Sequence, residues 1–336
     1  MIAVLRLMFA VFMFLAAALS VLPPPTYFLW IASIAAAEWG HILALVALLT
    51  FLPGWGRTRV GKFAALIGAL AFILALSPIA RALPVATGLP VRMETAFGRV
   101  QPRSLPGAAP RSKPFSLVAL VRKPASPEVR LTTIPFVVRD GKPLELDLYR
   151  RDRTLPAATE DVNTAIDYLK SNAKTLGIDS TRIALIGRSA GGQLALLSAY
   201  TRNDGSIRGV VGFYPPTDQK WGWDHPTNPR VYNSVVTLRE FLNGDSSSVP
   251  EAYRESSPLN FAGPKTVPTL LIHGTMDPLV SVRQSARLDS ALVANGRPHV
   301  FLELPWATHG CDYVFNGPCG QISTFAIERF LGAVLR

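Results

Sequence analysis

Charge is scarce in this 336-residue chain, with 17% charged residues against 49% hydrophobic, and the apolar excess is concentrated in the first 85 residues. Cysteine is scarcer still. Cys311 and Cys319 are the only two, and no His or carboxylate stands beside them at metal-ligand spacing, so no metal site is read here. They lie eight apart in HGCDYVFNGPCGQ, which leaves two readings open: a loop-closing disulfide or a pair of buried thiols. There are only five histidines, so a catalytic base has few candidates, and there is no internal repeat. A basic folded face is missing as well. The net charge is +11, yet residues 154–336 hold 16 Lys and Arg against 16 Asp and Glu. The excess therefore belongs to the N-terminal part, which argues against a nucleic-acid partner. Attraction to anionic lipid headgroups and ordinary solvation of a linker account for it equally well.

Three long apolar runs are present, at residues 2–22, 27–52 and 63–83. Each is about the length a bilayer requires, and together they predict a membrane anchor of about three spans over residues 1–84. Two spans plus an interfacial segment is the rival reading, and a cleaved signal peptide at 1–22 stays open. The join GWGRTRVGK carries Arg57, Arg59 and Lys62, whereas PPPT between the first two runs carries no charge. Positive charge stays in the cytoplasm, which predicts a multi-pass membrane protein whose remaining chain lies outside it.

Eight prolines punctuate residues 84–128, so a Pro-rich linker is expected over 85–128. Residues 129–150 read as a hairpin around Asp140-Gly141. Beyond it the pattern alternates: a helix at 157–174, then RIALIG, GGQLALLSAY, GVVGFY, VPTLLIHG, a helix at 281–295, HVFLEL and a helix at 321–335. Short apolar strands between amphipathic helices predict an α/β fold with a mostly parallel sheet over 129–336.

The strand RIALIG runs into Gly187-Arg188-Ser189-Ala190-Gly191 and then an apolar-faced helix. This is the setting of a nucleophile elbow. Gly187 and Gly191 leave room for the turn, Ser189 is raised at the strand end, and the Ala190 N–H at the helix start faces a developing oxyanion. A serine hydroxyl needs a base, and the base needs an acid to orient it. His309 follows the last strand in a loop. Asp277 follows the strand before it, with Asp312 as the weaker candidate for the acid. His273 and His299 read as structural.

GRSAGG, IHGTMDPLV and PWATHG, in this order, resemble the α/β-hydrolase superfamily, in particular the hormone-sensitive-lipase-like carboxylesterases, over about residues 130–336. The resemblance implies an eight-stranded, mostly parallel sheet and hydrolysis of small carboxylic esters without a cofactor. It also implies a His-Gly-Gly-Gly-type oxyanion loop between the hairpin and LPAATEDV, and this chain has only about six residues there. Two central strands are therefore expected to be missing, which leaves the edge of strand 182–187 unpaired unless the hairpin moves in to cover it.

A membrane-anchored serine ester hydrolase is thus the leading reading. An impaired or inactive hydrolase-derived module, and a peptidase of prolyl-oligopeptidase type, are the alternatives. VYNSVVTLREFL with KWGWDHP is expected to form a lid over an acyl pocket, with a plain connecting segment as the competing reading.

Overall fold

The N-terminal apolar runs fold as helices whose small residues face one another. A computed structural model describes residues 1–102, 109–122, 135–139, 142–145, 157–202 and 204–336. Helix α1 spans Ile2–Ala18, α2 Tyr27–Glu38, α3 Gly40–Ala47 with a 3₁₀ turn at Leu48–Phe51, and α4 Arg59–Phe97. Thr26 and Thr58 cap α2 and α4, their hydroxyls accepting from Leu29 N–H and Gly61 N–H. In the bundle of α1, α3 and the first half of α4, Ala10, Ala17, Ala44, Ala47, Ala71 and Ala75 are buried, while Leu5, Phe12, Leu45, Phe63, Leu66 and Ile73 point outward. A β-carbon on Gly40 would lie 2.1 Å from the Ala75 carbonyl oxygen, so the two helices are in backbone contact there. Small residues therefore face inward in this bundle and large apolar ones outward.

Among the described residues only α4 is by itself long and apolar enough to cross a bilayer. Segment 27–51 qualifies only as a pair bent by 83°, and α1 has 17 residues. Three separate spans were expected from the three runs. The difference arises at Trp39, where the second run turns and Glu38 is drawn into the protein.

The linker expected from residue 85 is helix as far as Phe97. Pro78, Pro84 and Pro90 lie inside α4. Proline lacks the N–H that would have bonded the carbonyl four residues back. The carbonyl freed by Pro78 is that of Leu74, and the Ser20 hydroxyl lies 3.2 Å from it.

Strands β1 (Pro135–Arg139) and β2 (Lys142–Glu145) pair antiparallel with each other. Residues 146–156, where the short strand-to-helix join falls, lie outside the described residues. Then follow α5 (Ala157–Ser171), α6 (Ala173–Leu176), β3 (Ile183–Arg188), α7 (Ala190–Thr201) and β4 (Ile207–Phe213). Helices α8 (Gln219–Asp224), α9 (Ser234–Leu242) and α10 (Pro250–Glu255) precede β5 (Thr269–Gly274). The chain finishes with α11 (Arg283–Ala294), β6 (His299–Leu304) and α12 (Pro318–Val334).

The main sheet is parallel, in the order β3-β4-β5-β6. Val210, Leu271 and Ile207 meet Leu196, Ala199, Ile166, Leu288 and Leu292 from α7, α5 and α11 on one face. On the other face Val211, Ile272 and Leu302 meet Phe325 and Phe330 of α12 together with Ala82, Ala86, Leu89 and Met93 of α4. The far half of α4 is thus a layer of the α/β domain.

The described sheet has four strands where the resemblance implied eight. The hairpin does not cover β3 among the described residues: it pairs only with itself, and β3 is an edge strand with Ile186 49% exposed.

Candidate active site

Ser189, Asp277 and His309 all fall just beyond the C-terminal ends of parallel strands, where open α/β sheets carry their sites. Ser189 follows β3 with φ 52° and ψ −126°, a conformation that costs a non-glycine residue strain. Its N–H donates to the Phe213 carbonyl at 2.9 Å, and its own carbonyl accepts from Gln193 N–H at 3.1 Å. The turn is therefore held from both sides, with the N-terminus of α7 and the Ala190 N–H directly after it. Gly187 is required by space: a β-carbon there would sit 2.1 Å from the Gly191 carbonyl oxygen. Gly191, expected to be needed in the same way, has open space where its β-carbon would be, and Gly192 is the tighter position.

His309 and Asp277 are joined. The Nδ1–H of His309 donates to Asp277 Oδ2 at 2.7 Å, which makes Nε2 the ring's accepting nitrogen. Asp277 is inaccessible. Its other oxygen accepts from Leu279 N–H at 2.8 Å and Val280 N–H at 2.9 Å, and His273 Nε2 lies 3.3 Å from Oδ2. Burial pushes the Asp277 carboxyl up, but the charges and hydrogen bonds of His309 and His273 outweigh it and hold it well below the usual carboxylate range. His273 is itself fixed between Ser285 Oγ at 2.8 Å and the Val280 carbonyl at 2.9 Å, a structural role.

The hydrogen bonds of Asp312 go elsewhere than His309. The Asp312 carboxylate accepts from Tyr214 OH at 2.6 Å and from Arg188 Nε, because the loop after His309 turns it toward β3. Burial lowers the Arg188 pKa, and the Asp312 bond and charge more than restore it, so the net direction is upward. Tyr214 has φ 37°, and its ring lies 4.1 Å from the His309 ring. Tyr214 belongs to no motif, and the one signal it carries in the sequence is its position at the end of β4.

Cys311 and Cys319 are bonded, with S–S 2.02 Å, and close the loop just past His309. Glu38 stands beside them, but the two sulfurs are spent on each other and offer no thiolate to a metal. Closing so short a loop is worth roughly 2–3 kcal/mol of denatured-state entropy. Cys319→Ser should therefore melt below the wild type, at the temperature of the wild type in dithiothreitol. Equal melting of oxidised and reduced wild type would show the bond to be energetically silent.

A cavity of about 640 Å³ opens at Ser189 and Ala190 and is walled by Trp221, Tyr232, Leu238, Phe241 and Leu279. Both segments expected to form a lid contribute to it. Trp223 does not line it and packs on Tyr253 instead, ring centroids 5.7 Å apart. His225, stacked on Trp221, is also in the wall.

Residues 148–292 match the BD-FAE family model. The chain is also 33% identical over 190 residues to esterase LipC of Mycobacterium tuberculosis, covering 52% of this chain and 46% of that protein. It is 29% identical over 196 residues to the probable carboxylic ester hydrolase LipM of the same organism, covering 54% and 44%. It thus spans about half the length of the curated relatives it matches. Among solved structures, a truncated carbohydrate esterase from gut microbiota superposes with a TM-score of 0.44 at 22% identity, covering 53% of this chain and 70% of that one. The sequence similarity is to named esterases, and the fold is α/β with a parallel sheet.

Proposed function

We propose that the chain is a membrane-anchored serine hydrolase acting on small carboxylic esters. The observation that carries the reading is the Asp277–His309 bond on loops after adjacent strands, with Ser189 on a strained elbow at the end of the same sheet. Ser189 Oγ attacks the ester carbonyl while His309 Nε2 takes its proton. The Ala190 N–H donates to the oxyanion. Collapse forms the Ser189 acyl ester and expels the alcohol, which takes the proton back from Nε2. Water, activated by the same imidazole, then releases the acid. Asp277 holds the imidazole in the tautomer this requires.

The alanine-lined, leucine-studded bundle supports an anchor. Arg6 donates to the Pro53 carbonyl at the bundle end that also carries Arg57, Arg59 and Lys62. At the other end Arg81 ties Ser20 to Pro305 beside the sheet. Positive charge remote from the α/β domain favours a cytoplasmic bundle end and an extracytoplasmic hydrolase domain, where a disulfide persists.

Among the described residues no strand pairs with the outer edge of β3, and Ala190 is exposed, which favours a second reading, a module without turnover. The full chain in detergent is expected to react with a fluorophosphonate probe and to turn over p-nitrophenyl acetate, with both activities gone in Ser189→Ala. Absence of labelling in the wild type sinks the hydrolase reading. Turnover of a peptide p-nitroanilide in preference to the ester would favour peptide bonds instead.

A further inference from the structure

His309 sits in the connection between β6 and α12, and its own stretch of that connection is irregular, with Gly310 in the left-handed region at φ 78°. Such a segment has no ladder to fix it, yet a general base must be held to within a fraction of an ångström. What holds it comes from the other end of the chain. Trp30 of α2, nearly buried, donates its indole Nε1–H to the His309 carbonyl at 3.2 Å. Its ring meets the imidazole edge-on, centroids 6.3 Å apart. One turn further along α2, the Ile34 side chain lies over Gly310, 3.6 Å from where a β-carbon would be. A further turn on, Glu38 accepts from Trp306 Nε1–H at 3.2 Å and from Cys319 N–H at 2.9 Å.

Residues spaced four apart share a helix face. One face of α2 therefore grips the connection before, at and after the imidazole. Tyr214 packs on the same ring, so two aromatic side chains flank it while Asp277 takes its Nδ1–H. The family-model match spans residues 148–292, so this face lies outside that match. The start of α2 is tied to the pocket side as well: Tyr27 N–H donates to the Arg230 carbonyl, and Asn228 donates to the Pro25 carbonyl at 3.3 Å.

We infer that Trp30 is a positioning residue for His309, so that α2 is a working part of the hydrolytic site as well as a piece of the N-terminal bundle. The inference rests on the hydrolase reading above. It also explains why the second apolar run breaks at Trp39: α2 lies on the catalytic connection, and the chain must turn by 83° before α3 can enter the bundle.

The test uses the full chain in detergent with four proteins: wild type, Trp30→Ala, Trp30→Phe and Phe28→Ala. Phe28 is on the same helix and 82% exposed. Trp30→Ala is expected to lower kcat for p-nitrophenyl acetate and the fluorophosphonate labelling rate by about 10–100-fold, with KM within about two-fold. Trp30→Phe keeps a ring but loses the donor, and is expected to lose about 3–10-fold in kcat at near-wild-type melting temperature. Phe28→Ala should match the wild type in kcat.

If Trp30→Ala fails to fold, Trp30→Phe decides. Wild-type kcat in a well-folded Trp30→Phe overturns the inference, as does a loss confined to KM. A wild type that does not label at all removes the hydrolase reading itself, whereas a labelled wild type with undiminished Trp30 variants removes only the role of Trp30.

Discussion

Asp277→Asn is expected to lower kcat for p-nitrophenyl acetate by roughly 10⁴-fold while the protein stays folded, the size of loss when the acid of a serine triad becomes an amide. The argument is one of tautomers. Asp277 Oδ1 accepts two backbone N–H groups, which an amide oxygen can also do. That choice turns the amide NH₂ toward His309 Nδ1, where a carboxylate oxygen now accepts at 2.7 Å. The imidazole must then present a lone pair at Nδ1 and carry its proton on Nε2, where it can no longer accept the proton of Ser189. The wild-type carboxylate is held below its usual range, so its contribution to stability is present above the unfolded value near 4. It is lost only as the pH falls through the lower folded value. Mild acid near pH 5 should therefore not reproduce the variant by protonating Asp277. A kcat within ten-fold of wild type in a protein of unchanged melting temperature would remove Asp277 from the triad.

The placement of Ser189, Asp277 and His309 beside one another was legible because each follows a short apolar strand, and a parallel sheet brings such strand ends to one edge whatever else the chain does. That residues between β4 and β5 line the cavity at Ser189 was legible for a similar reason: the segment joins two strands at that edge. Reading failed where distant parts of the chain meet. Pro84 and Pro90 read as linker punctuation, yet Ala82, Ala86, Leu89 and Met93 recur at spacings of four, three and four, the signature of a helix with a buried stripe. Proline content outweighed periodicity in that reading, and tertiary packing reversed the order. Glu38 lies inside the second apolar run, and nothing local marks it as the partner of Trp306, 268 residues away. Asp312 had the right residue type three positions past His309, but the direction of a side chain in an irregular loop is set by its neighbours. Here those are Arg188 and Tyr214.

The elbow separates its two flanking glycines by a test of opposite signs. Gly187→Ala puts a methyl group 2.1 Å from the Gly191 carbonyl oxygen, 2.3 Å from its carbonyl carbon and 2.6 Å from Gly192 nitrogen. All three are backbone atoms, so no side chain can swing aside, and relief requires moving β3 away from the first turn of α7. Overpacking against backbone is expected to cost about 3 kcal/mol or more. Ser189, already at positive φ, would lose the bond to the Phe213 carbonyl that keeps it there. Labelling by the fluorophosphonate should then disappear along with the native melting transition. At Gly191 the β-carbon meets open space within a helix, where alanine is favoured over glycine by about 0.5–1 kcal/mol. Gly191→Ala should therefore melt at or above the wild-type temperature and keep its labelling. A Gly187→Ala protein that melts and labels like the wild type would mean that β3 and α7 are not held against each other at this point. The crowding would then be no part of what raises Ser189 from the sheet.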